Sequence, residues 1–172
     1  MYKNILVIFF IGCTSVYSQV ELSDIDKRNQ EISSLMLQYL DIEQASASAI
    51  VYILGDNGLV ITEEKSGHHL NRLSISMNTE GNFTLEKKSC EYVEKNNTLT
   101  KYFSEGLDTV KIYSGKSRVA NSYVYLLILH KGSIVIEYNL PAMSYTDESR
   151  DFEYPIDDAL KEFLASKTLS LY

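Results

Sequence analysis

Glu63, Glu64, His68 and His69 crowd one short stretch of the chain. Carboxylates and imidazoles are the ligands zinc takes, and a carboxylate beside an imidazole also performs acid–base work. The spacing argues against a shared ion. It lacks the HExxH pattern, and on an extended chain adjacent residues such as His68 and His69 point to opposite faces. The expectation is a solvated loop without metal. Asp147, Glu148, Asp151, Glu153, Asp157 and Asp158 form a second concentration of oxygen ligands. They lack the alternating Asp/Asn and the glycine of a calcium loop, so they read as a solvated acidic face, with Asp157 and Asp158 favouring a helix N-terminus. GxSxG and phosphate-cradling GxxxxGK[ST] sequences are missing. No catalytic residue, metal or cofactor is assigned.

The two cysteines have different prospects. Lys3 and the apolar run Ile5–Ile11 resemble a signal peptide, far short of the roughly 20 residues of a membrane span. Val16 and Ser18 place a cleavage before Gln19, giving a leader over 1–18 and a single domain over 19–172. Phe10-Ile11-Gly12-Cys13 resembles a bacterial lipobox, so Cys13 is a candidate lipidation site and the chain a possible lipoprotein. Either route leaves Cys90 as the only thiol of the folded domain. It is expected to be a buried small hydrophobe. The localisation expected is export, to a periplasm, an outer surface or the medium.

Positioning these residues requires a core, and the composition supplies one. The chain has 172 residues, 45% hydrophobic and 23% charged, with 13 Tyr and no Trp. A single domain of this size buries enough surface to need no staple. The net charge of −7, without any basic block, disfavours nucleic acid and anionic membrane as partners. A membrane tether would exist only through Cys13.

Apolar periodicity outlines the elements. Residues 23–40 read as a helix capped by Ser23, with Ile25, Ile32, Leu35, Met36, Tyr39 and Leu40 as its stripe. Three hairpins follow. In the first, Gly55 opposite Gly58 sets Ile50, Tyr52, Leu54, Leu59 and Ile61 on one face and Val51, Ile53 and Val60 on the other; both faces are apolar, so this hairpin is central. The second joins 70–77 to 83–89, with Leu73, Ile75, Met77, Phe83 and Leu85 on its apolar face. A short helix begins near Thr98, with Leu99, Tyr102 and Phe103 inward. The third hairpin turns at Lys131-Gly132. Pairing His130 with Ser133 puts Tyr123, Tyr125, Leu127, Leu129, Ile134, Ile136, Tyr138 and Leu140 on a single apolar face. A last helix follows Pro155, with Ile156, Ala159, Leu160, Phe163 and Leu164 inward.

Consecutive hairpins exclude βαβ winding. The fold class expected is α+β: a curved, mostly antiparallel sheet of six to eight strands with N- and C-terminal helices packed on it, or else a small β-barrel with flanking helices. The opposite face of the third hairpin mixes Val124, Leu126, Ile128 and Val135 with His130 and Glu137. Left uncovered, it would be an interaction patch. The functional expectation is therefore a non-enzymatic exported domain that binds a protein or small ligand. The alternative is a small periplasmic or surface enzyme with an acid/His site around residues 63–69.

Overall fold

A computed structural model describes residues 24–104, 111–114, 123–141 and 156–169. The leader, Cys13, Ser23, Pro155 and Asp147 to Glu153 of the acidic loop lie outside them. The elements in chain order are α1 (Asp24–Tyr39), β1 (Ala49–Leu54), β2 (Asn57–Glu63), β3 (Gly67–Met77), β4 (Phe83–Glu94), α2 (Asn97–Phe103), β5 (Lys111–Ser114), β6 (Tyr123–His130), β7 (Ser133–Pro141) and α3 (Asp158–Leu169). The sheet order is β4-β3-β2-β1-β6-β7-β5. Six strands run antiparallel to their neighbours, and β5 adds a parallel edge beside β7. The sheet is open, with β4 and β5 as its edges, so the fold is the curved α+β sheet and not the barrel.

Helices cover both faces. Ile32, Met36 and Leu37 of α1 pack on Val51, Ile53, Val60, Leu73 and Leu127. On the other face Leu99, Tyr102 and Phe103 of α2 and Leu160 and Leu164 of α3 pack on Ile50, Leu59, Leu126 and Ile128. β1 and β2, apolar on both sides, hold the middle, as residues buried twice must. Two cap geometries fix the smaller helices. The Asn96 side chain accepts from the Leu99 amide at 2.9 Å, and Asp157 accepts from the Leu160 amide at 2.9 Å. The α1 stripe lies slightly round from its expected place: Asn29 and Ser33 are buried, whereas Tyr39 is 48% exposed.

Register departs from expectation in three places. In the first hairpin Leu54, not Gly55, ends the pairing, opposite Asn57, and Gly55 takes φ +60° in the turn. That is a two-residue change, and a period of two leaves every side chain on its expected face. The third hairpin is different. His130 does pair with Ser133, and the turn residues Lys131 and Gly132 both have positive φ, as a two-residue turn matched to strand twist requires. But Leu129 faces Ile134 while Ile128 faces Ile136, so Val135 is an extra, bulged residue. Beyond it the phase inverts. Ile136 and Tyr138 join Leu126 and Ile128 beneath α2 and α3, and the single apolar face of Tyr125, Leu127, Ile136 and Tyr138 does not form.

The third departure is in the second hairpin. β3 begins at Gly67, so His68 and His69 belong to a strand and not to a solvated loop. Met77↔Phe83 and Leu73↔Lys87 follow one register; Arg72↔Ser89 and Asn71↔Cys90 follow another. The bulge between them decides what Cys90 faces.

Candidate functional site

The acid/His stretch splits between the two sides of the sheet. Glu63 pairs with His68 and Thr62 with His69 across β2 and β3. His68 faces the α2 side, where it is fully buried and stacks on Phe103, with ring centroids 5.4 Å apart. Neither of its ring nitrogens has a hydrogen-bond partner. Burial pushes its pKa below the ordinary histidine value; Glu63 opposes this, and Lys95 adds to it. Lys95 also lies 3.8 Å from Glu63. Glu63, Glu64, Lys65, Ser66 and Lys95 line only a shallow depression. The four acid/His side chains therefore do not converge.

On the other face Glu64 and His69 meet at 3.0 Å, through the Nε2 atom of the imidazole. The Nδ1 atom of the same ring lies 3.9 Å from Cys90 Sγ. Cys90 is exposed, contrary to the sequence expectation. The bulge is the reason. In the register of the hairpin tip Cys90 would lie opposite Leu70, in the core beneath α2 and α3. The extra residue places it opposite Asn71, on the α1 face of an edge strand, where it is left open to solvent. Thiol, imidazole and carboxylate thus stand in line. A carboxylate at Nε2 favours the tautomer that carries its proton there, and in that tautomer the Nδ1 lone pair faces the thiol.

The same patch carries other polar groups. Tyr92 donates to Ser66 Oγ at 2.8 Å, and its ring meets that of His69 edge-on at 5.4 Å. Asn71 is 8% exposed, and its carboxamide makes no hydrogen bond among the described residues. The ladder explains the crowding. The Lys95 amide donates to the Ser66 carbonyl at 3.3 Å, so Asn71–Cys90 and His69–Tyr92 fall on the alternate, non-hydrogen-bonded positions. Side chains sit closest there, and the backbone N–H and C=O of Cys90 and Tyr92 point out from the free edge of β4.

Behind β4, on the α3 side, Arg72 is 8% exposed and fully engaged. It donates to Ser89 Oγ at 3.0 Å, to Glu91 at 2.7 Å and to the Lys167 carbonyl near the end of α3. Lys167 donates to Glu91 at 2.6 Å. The bonds from Lys167 and then Arg72 hold the Glu91 carboxyl below its usual range. This cluster fastens α3 to the sheet and leaves nothing for a ligand.

The residues expected to form an interaction patch are dispersed. Leu126, Ile128 and Val135 are buried in the core beneath α2 and α3, with half-buried Val124 packed against them. His130 is half-buried beside the turn. Glu137 lies on the opposite face, where it accepts from Gln30 at 2.8 Å and from Tyr125 at 3.1 Å. Two covered faces and the bulge at Val135 account for this correction. Among the described residues no group of three or more His, Cys, Asp or Glu side chains is arranged to hold a metal ion, and no helix is long and apolar enough to cross a membrane. No family model, curated protein or solved structure matches the chain.

Proposed function

We propose that the protein is an exported, non-enzymatic binding domain that takes an extended segment of a neutral or basic partner protein alongside β4. The observation carrying this reading is the free edge of β4. Among the described residues its 12 residues pair on one side only, and the outward backbone groups of Cys90 and Tyr92 sit beside a polar, accessible side-chain patch. Adding a strand satisfies such groups, and alternate side chains supply specificity. The net charge of −7 disfavours an acidic partner. Charged residues such as Glu86, Lys87, Lys88 and Glu94 along β4 restrain indiscriminate pairing. Export rests on the leader pattern of residues 1–18.

Two experiments test the two halves of this reading. Intact mass of exported protein should give a chain starting at Gln19, or at a lipidated Cys13; retention of Met1 to Lys3 would refute export by either route. For docking, the envelope fraction is passed over the wild-type protein and over Glu94→Pro, a change at the strand end that removes an outward N–H. A specific partner should be identified with the wild type and lost with the variant. Equal capture by both, with the variant folded, would remove β4 as the docking edge.

A further inference from the structure

The line Cys90–His69–Glu64 does more than decorate a binding edge. We propose that Cys90 is a thiol–disulfide exchange site, with a disulfide as its substrate class. This goes beyond the docking reading and stands whether or not a strand adds to β4.

Three observations carry it. The thiol is exposed and lies 3.9 Å from the Nδ1 atom of His69. The far nitrogen of that ring lies 3.0 Å from the Glu64 carboxylate, which orients the ring toward the thiol. Beside the thiol, directly across the ladder, sits Asn71, whose carboxamide makes no hydrogen bond among the described residues and reaches solvent. A thiolate, or the polar group of a ligand seated there, can accept from it. The thiol is open to solvent, and no cleft encloses it among the described residues. Disulfide exchange needs only a thiolate, a path of attack and somewhere for the proton to go.

The step balances as follows. The Cys90 S–H proton passes to His69 Nδ1. The thiolate attacks one sulfur of a disulfide R–S–S–R′, forming a Cys90–S–S–R bond as the original S–S bond breaks. R′–S⁻ leaves with the electron pair and takes up the proton from His69 or from water. Glu64 acts as a positioning residue through the imidazole.

The test uses the full chain and an aromatic disulfide as probe, following release of the aromatic thiolate; Cys90→Ala subtracts whatever Cys13 contributes. At pH 7 the wild type should react about ten-fold faster than His69→Asn, and the gap should narrow in alkaline solution, where hydroxide replaces the imidazole as base. Glu64→Gln, a change at an exposed side chain, should fall between them and serves as the comparison if His69→Asn does not fold. Mass analysis should place the mixed disulfide on Cys90. Equal rates at pH 7 for the wild type and the folded variants, or a Cys90 that the probe does not label, would overturn the proposal.

Discussion

Leu126 and Leu127 are neighbours in β6 whose side chains enter different cores, and truncating each tests whether both faces are sealed. Leu126 is 1% exposed and packs with the α2 and α3 residues; Leu127 is 3% exposed and packs with α1. Replacing a buried Leu with Ala loses transfer energy and leaves a cavity, for a cost of about 2–5 kcal/mol. With near-complete burial on both sides, each substitution is expected to cost about 3 kcal/mol. That is a large share of the roughly 5–15 kcal/mol that holds a domain together. With a urea m-value of about 2 kcal/mol/M, each midpoint should fall by about 1.5 M. Melting temperatures should fall by roughly 6–12 °C.

The double variant sharpens the test. The two cavities open on opposite sides of the sheet and share no lining residue between the clusters, so the losses should add to within about 0.5 kcal/mol. Urea melts of Leu126→Ala, Leu127→Ala and the pair supply all three numbers. A loss below about 1 kcal/mol at Leu126, beside a full loss at Leu127, would refute the sealed α2–α3 face and return the even-numbered residues of β6 to the surface.

Other changes probe single features. Gly132→Ala should cost about 2 kcal/mol or more, because Gly132 has φ +79° and an added Cβ would stand 1.8 Å from the Ala45 carbonyl oxygen; Gly55→Ala, with φ +60° but open space around it, should cost only about 1 kcal/mol in the same denaturant melts. Acidification should reveal His68: its folded pKa is lowered by burial, so the unfolded chain binds the extra proton first, and stability falls as pH drops through about 6.5 towards the lower folded value. His68→Phe should flatten that part of the stability–pH curve, and an unchanged slope would refute a neutral, buried imidazole. Arg72→Met should destabilise by about 1–3 kcal/mol and raise hydrogen exchange selectively at the end of α3, because the Lys167 carbonyl loses its donor; uniform exchange would refute the fastening role.

Much of this architecture was legible from periodicity and turn chemistry. The alternation in Ile50–Leu54 and Leu59–Ile61 assigns both faces of β1 and β2, and it survives the error in turn length because a slip of two residues preserves facing. Leu99, Tyr102 and Phe103 are inward in α2 as their spacing predicts. The short acidic stretch failed as a unit for the reason alternation already supplies: Glu63 with His68 and Glu64 with His69 belong to opposite sides.

What alternation could not reveal was an inserted residue. A bulge leaves no compositional mark in either hairpin, since Val135 and the Lys87-Lys88 pair look like ordinary strand positions. Yet each inverts every facing beyond it. At Val135 the inversion exchanges Glu137 for Ile136 and Tyr138 on the face of Leu126 and Ile128, and α2 and α3 cover that face. In β4 it carries Cys90 from a place opposite Leu70 in the core to one opposite Asn71 on an open face. The same one-residue step brings the thiol to His69, whose partner Glu64 would otherwise hold a ring with nothing to deprotonate. A thiol read as inert packing material and a histidine read as loop are thus one site, and a single unpaired residue on an edge strand joins them. Bulges persist where they aim a side chain, at a cost in ladder hydrogen bonds. Removing the one in β4, by deleting Lys88, takes out the unpaired residue and should therefore leave a regular ladder in which Cys90 stays opposite Asn71, beside His69. Native-state labelling of Cys90 by a thiol reagent should then continue at the wild-type rate, while a deletion that slowed labelling sharply would show that Lys88 is not the residue in excess.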